Sequence, residues 1–171
     1  IALAALNKGY RVIFVVPEKF SEEKQVLMKA LGAEIVHTPE KYGMQGAIEK
    51  SQALLKTIPD SVSLNQFTNP SNPLAHYETT GPEIYKAMDG NIDYFIAGAG
   101  SGGTFTGIAK YLKEKNPDIK AYIADPVGSI IGGGTESSYK IEGIGNDFIP
   151  DTLNLKLADG FIKINDDEAF S

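Results

Sequence analysis

The sequence predicts an α/β protein: open, mostly parallel twisted sheets with flanking helices, arranged in two lobes. Three observations carry this. Short apolar, β-rich runs alternate with segments of helical periodicity, the order in which crossovers build a parallel sheet. The stretch Gln66-Phe-Thr-Asn69-Pro70-Ser-Asn72-Pro73 is dense in turn residues and marks a lobe boundary, with 1–67 in a smaller N-terminal lobe and 68–171 in a larger one. Between Tyr94 and Gly107 an apolar strand runs into a glycine loop and the loop opens a helix.

The elements follow in order. Ile1 to Leu6 reads as the middle of a helix ended by Gly9, and Tyr10 to Val16 as a buried parallel strand stopped by Pro17. Ser21 caps a helix with Glu22 and Glu23 in its first turn, Val26, Leu27, Ala30 and Leu31 on its apolar face, and Gly32 as its stop. Ala33 to Thr38 is a second strand, Met44, Ala47, Ile48, Leu54 and Leu55 mark a third helix, and Ser61 to Phe67 a third strand. Beyond the turn-rich loop, Leu74 to Tyr77 and Pro82 to Met88 read as two helices, the second with Pro82 in its first turn. Ile92 to Ala97, a helix to about Lys115 and Ile119 to Ala124 form a βαβ unit. The alternation then breaks into loops over Gly128 to Ser138 and a glycine turn at Gly143 and Gly145, before a last strand at Gly160 to Ile164 and a helix starting at Asp166. Both ends fall inside an element, so the chain reads as an internal fragment.

The glycine loop carries the chemistry. Four glycines among residues 98–103 allow tight turning and close ligand approach, so that successive N–H groups converge on one anion. The helix behind it, with Phe105, Ile108, Ala109 and Leu112 on one face, aims its dipole and unpaired N–H groups at the same point. Ser101 and Thr104 add hydroxyls. A net charge of -6 and the absence of a basic stripe argue against nucleic acid and anionic membranes, leaving small molecules as partners. No cysteine is present and no run is long and apolar enough to span a bilayer, so thiol chemistry is excluded and no membrane partner is expected.

Other residues are read as structural. His37 and His76 lack a partner pattern, so neither a base nor a metal site is expected. Asp166, Asp167 and Glu168 suit a helix N-terminus, and Lys110, Lys113 and Lys115 a solvated helix face. One alternative stays open: Gly98, Gly100 and Gly103 satisfy G-x-G-x-x-G, with Asp125 at the end of the next strand, as in an NAD(P)-binding domain of a dehydrogenase. Against it, the motif does not open its domain, and no crossover helix follows Asp125.

Taken together, Gly100-Ser-Gly-Gly-Thr104, Gln66-Phe with Asn69-Pro and Asn72-Pro, Thr79-Thr-Gly-Pro-Glu-Ile84, and Glu142-Gly-Ile-Gly145 with Phe148-Ile-Pro150 resemble the pyridoxal-phosphate-dependent cysteine synthase and cystathionine β-synthase family. The resemblance runs through nearly the whole chain. It implies the type II fold of such enzymes, similar to the tryptophan synthase β subunit, with pyridoxal 5′-phosphate between two lobes. It also implies replacement of the β-substituent of serine or O-acetylserine by a sulfur donor, in a cytoplasmic homodimer. Gly100, Ser101, Gly102, Gly103 and Thr104 correspond to the cofactor-phosphate cradle, Gln66 to a glutamine holding the substrate carboxylate, and Gly143 to a glycine lining the site. The family's Schiff-base lysine is expected upstream of Ile1 and a serine on the pyridine nitrogen downstream of Ser171, so no catalytic residue is assigned and the 171 residues alone are expected to be inactive. Asp125-Pro-Val-Gly-Ser129 and Ile141 to Phe148 lean toward cystathionine-β-synthase-like members.

Overall fold

The computed structural model describes residues 2–18 and 20–171, and the chain divides into two compact units, Ile1–Ser63 and Leu64–Ser171. The first unit contains α1 (Ala2–Leu6), β1 (Ile13–Pro17), α2 (Glu22–Ala30), β2 (Glu34–Thr38) and, after a 3-10 turn at Glu40–Tyr42, α3 (Gly43–Leu55). Ile1 lies outside the described residues. β1 and β2 pair in parallel, from Ile13 opposite Glu34 to Pro17 opposite Thr38, so the strand begins three residues later than Tyr10 and takes in Pro17.

Two expectations for this unit fail. Ser21 does cap α2 by accepting from the Lys24 amide, yet Val26 and Leu27 face solvent and the residue buried is Gln25. Its amide nitrogen donates to the Phe20 carbonyl (2.8 Å) and its oxygen meets His37 Nε2 (2.7 Å), a pairing that offsets the cost of burying an amide. The predicted strand at Ser61 to Phe67 does not form, and Val62 is 84% exposed. Among the described residues, 61–67 enter no ladder.

The second unit opens with α4 (Ser71–Ala75), a π-helical turn at His76–Thr80 and α5 (Gly81–Ala87), which run on without a break. The two helices predicted here are therefore one rod with a wide turn in the middle. The reason is Pro82: it has no N–H to give, and a wide turn before it absorbs the missing bond and the ring. Then follow β3 (Tyr94–Gly98), α6 (Gly103–Lys115), β4 (Lys120–Pro126), a 3-10 turn at Leu155–Leu157, β5 (Gly160–Ile164) and α7 (Asp166–Phe170). The strands are all parallel in the order β3-β4-β5. Asn165 and Glu168 form a complete capping box at α7, as the acidic run there suggested.

α6 lies on this sheet with the predicted face inward. Phe105, Ala109, Ala121 and Ile123 meet Ala99, Ile131 and Leu153 in one cluster, and Ile108, Leu112 and Ile119 form the next. Each large side chain buried this way contributes about 1.5–3 kcal/mol. On its other side α6 touches the rod almost backbone to backbone. A Cβ on Gly107 would stand 2.7 Å from Tyr77 N and would overlap the Pro73 carbonyl. This close approach presents residues 72 and 76 to the glycine loop.

The lysines of α6 are not a uniformly solvated face. Lys113 Nζ reaches the Ile119 carbonyl (3.1 Å) and Asp159 Oδ2 (2.6 Å), and the Ala121 amide donates to that same carboxylate oxygen at 2.8 Å. The Lys113 bond first, and the Ala121 N–H next, hold Asp159 below the usual carboxylate range. A depressed carboxylate stabilises the fold above its unfolded pKa and loses that contribution as pH falls through the folded value, here below about pH 4. Lys113→Met should therefore cost about 1 kcal/mol at pH 7 and progressively less under pH 4, as read by urea unfolding at several pH values.

Candidate phosphate-binding site

β3 ends at Gly98, and the chain passes through Ala99, Gly100 and Ser101 to Gly102, the N-cap of α6, which lies in the left-handed region at φ 78°. The direction of the intervening peptides is set from behind. The Ala99 carbonyl accepts from Gly145 N (2.8 Å), the Gly100 carbonyl from Asn146 Nδ2 (3.2 Å), and the Ser101 carbonyl from Thr152 Oγ1 (2.5 Å). A trans peptide points the following N–H opposite its carbonyl. The amides of Gly100, Ser101 and Gly102 are thereby turned to the front of the loop, next to the first N–H groups of α6, which have no intrahelical acceptor. Among the described residues, those three amides donate to no backbone carbonyl. This is a donor set for an oxyanion, with the helix dipole added.

Both loop hydroxyls are also held from behind. Asn72 Nδ2 donates to Ser101 Oγ (3.0 Å) and to the Gln66 carbonyl (2.9 Å). His76 Nε2 meets Thr104 Oγ1 at 3.1 Å, and its Nδ1 meets Thr80 Oγ1 at 2.9 Å. Thr152, itself buried, also donates its amide to the Phe67 carbonyl at 3.2 Å, while the one hydrogen of its hydroxyl goes to the nearer Ser101 carbonyl. Thr152→Val should therefore leave the Ser101 carbonyl short of its donor, while the Phe67 carbonyl keeps the residue-152 amide, and cost about 1–2 kcal/mol in chemical denaturation, with a measurable loss of phosphate-ester affinity.

The predicted residues fall as follows. Gly100, Ser101, Gly102, Gly103 and Thr104 form one continuous cradle, with Gly103 packed so tightly on Asn72 that a side chain there would displace it. Gly143 lies beside it: a Cβ on Gly100 would be 2.9 Å from the Gly143 carbonyl, and Gly143 itself has φ 85° with open space where its own Cβ would be. Gln66 is exposed and joined to the cradle through its backbone and Asn72. Sequence reasoning missed Asn72, His76, Asn146 and Thr152. The i, i+4 spacing of Asn72 and His76 on a helix facing a glycine loop was the available signal.

The dinucleotide alternative loses its ribose-holding residue. Asp125 is fully buried, and its Oδ2 is taken by Lys163 Nζ (2.7 Å) and the Gly132 amide (2.8 Å). Nearby, burial first, then the charges of Asp125 and Asp147, push the Tyr139 phenol up, so it stays a neutral donor. No cluster of three or more metal-ligating side chains exists among the described residues, and no described helix is long and apolar enough to cross a membrane.

Comparison with known proteins finds relatives along the whole chain. The family described as "Pyridoxal-phosphate dependent enzyme" matches residues 1–171. An O-acetylserine dependent cystathionine beta-synthase of Bacillus subtilis is 52% identical over 170 residues, covering 99% of this chain and 55% of the relative. A cysteine synthase of Helicobacter pylori is 50% identical over 171 residues, covering 100% of this chain and 56% of the relative. Among solved structures, the O-acetylserine dependent cystathionine beta-synthase of Helicobacter pylori superposes with a TM-score of 0.93 at 49% identity, over 99% of this chain and 55% of that one. A hydrogen sulfide-producing enzyme of Fusobacterium nucleatum does so with a TM-score of 0.95 at 40% identity, over 99% of this chain and 57% of that one. The chain thus spans about half the length of these relatives.

Proposed function

Since the chain belongs to the family of pyridoxal-phosphate-dependent enzymes, we propose that the protein containing it catalyses β-replacement on serine or O-acetylserine by a sulfur nucleophile, forming cysteine or cystathionine. The observation that carries this is the cradle: three forward-facing amides and two backed hydroxyls at the N-terminus of α6 fit a phosphate monoester. Pyridoxal phosphate, when bound, supplies the electron sink for the substrate's α-carbon.

This chain's own residues bind and position. The amides of residues 100–102 and the Ser101 and Thr104 hydroxyls hold the phosphate, which keeps the reacting end of the cofactor in register. The Gln66 side-chain amide donates to the substrate carboxylate. Gly143 leaves room for substrate, since its φ of 85° and the open space beside it need no side chain. No lysine of these 171 residues is assigned to bonding the cofactor or moving the α-proton, and the enzyme is read as a cytoplasmic homodimer. Of the two products, cystathionine is favoured by the segments at 125–129 and 141–148, and O-acetylserine as the substrate by the names of two of the relatives, beside a third named cysteine synthase.

The test is an assay of the full-length protein, reconstituted with pyridoxal phosphate, using serine or O-acetylserine against sulfide and homocysteine. Cystathionine or cysteine should accumulate with at least one pair, fastest with O-acetylserine and homocysteine. No turnover with any pair would overturn the reading.

A further inference from the structure

The two hydroxyls of the cradle are backed by different kinds of group, and that difference has a consequence for the ligand. A hydroxyl has one hydrogen, and it can serve a phosphate oxygen only if nothing behind it takes that hydrogen. Asn72 settles the matter for Ser101, because Nδ2 also faces the Gln66 carbonyl, which only accepts; the Asn72 nitrogen must be the donor to both. Ser101 therefore accepts from behind and keeps its hydrogen for the front.

Thr104 has no such guarantee. The half-buried His76 ring lies between two hydroxyls, Thr80 on Nδ1 and Thr104 on Nε2. With hydrogen on Nδ1 alone, Nε2 takes the Thr104 hydrogen, and Thr104 presents only lone pairs to an incoming anion. With hydrogen on Nε2, Thr104 accepts from behind and can donate forward.

We propose that His76 is a positioning residue for the cofactor phosphate, and that a bound phosphate ester selects the form in which Nε2 carries the hydrogen, turning the Thr104 hydroxyl hydrogen into the cradle. This rests on reading residues 100–104 as a phosphate cradle. His76 touches the phosphate's ligand, not the reacting atoms.

The test uses the full-length protein labelled with 15N-histidine, with the His76 signals assigned as those missing in His76→Gln. With pyridoxal 5′-phosphate bound, Nε2 should appear as the N–H nitrogen. In parallel, the ratio of affinities for pyridoxal 5′-phosphate and phosphate-free pyridoxal isolates the phosphate contribution. His76→Phe should lower that ratio about tenfold, the size expected for one hydrogen bond to a charged group. His76→Gln, whose amide can still donate, should stay within about threefold. In a Thr104→Val background, His76→Phe should change the ratio by less than about twofold, since its effect passes through that hydroxyl. A bare Nε2 in the bound protein, equal losses in the Phe and Gln variants, or a full loss persisting beside Thr104→Val would each overturn the proposal alone. No preference of the wild-type protein for the phosphorylated ligand would overturn the cradle reading and this proposal with it.

Discussion

Gly102→Ala is expected to destabilise the protein by about 3 kcal/mol and to abolish retention of pyridoxal phosphate. Two costs add. A non-glycine residue at φ 78° carries a penalty of about 1–2 kcal/mol. The new Cβ would also overlap the Leu153 Cβ and sit 2.9 Å from the Leu153 Cα, and overpacking of a tight site costs about 1–3 kcal/mol more. Leu153 is buried and its backbone is part of the obstruction, so a rotamer change gives no relief. Gly133→Ala is the control, because φ is 79° there but nothing lies within 4 Å. It should lose only the conformational part, about 1 kcal/mol, and keep the cofactor. Urea unfolding and cofactor absorbance measure both, and equal stability of the two variants would refute the packing argument.

Lys163→Met should cost about 3 kcal/mol, the lower end of the range for breaking a buried ion pair. Asp125 is wholly inside, while the Lys163 side chain keeps 31% of its exposure. Removing the ammonium also strips the Ser129 carbonyl of its 2.8 Å donor and, among the described residues, leaves Asp125 with only the Gly132 amide on Oδ2 and a second oxygen that already has no partner. Adding Asp125→Asn to Lys163→Met removes the stranded charge, so the double variant should recover more than about 1 kcal/mol relative to the single one. A loss below 1 kcal/mol in the single variant would show that the pair contributes little.

These two sites differ in how far they could be read in advance. Gly102 belonged to a run of glycines between an apolar strand and a helical stripe, and the cradle of 100–104 was legible from that run. Asp125 was visible only as a carboxylate at a strand end, equally suited to a ribose. Its true partner is 38 positions away and meets it through the pairing of β5 with β4. Lys113 was misread for the same reason, since Asp159 lies 46 residues on and is brought close by the turn before β5.

What the sequence by itself determined are the features whose causes are local. The apolar face of α6, the Ser21 cap, the acidic first turn of α7 and the glycine loop between β3 and α6 all depend on residues within one or two turns of each other. Only the tertiary structure decided the features that depend on a partner. Residues 61–67 have strand-like sequence but enter no ladder among the described residues, α2 buries Gln25 because His37 receives it, and Asn72 and His76 gain meaning when Gly107 lets their helix touch α6. Hydrogen bonds and burial are pair properties. A periodicity along one chain shows which side chains could be buried or bonded, and only folding supplies what they are buried against and bonded to.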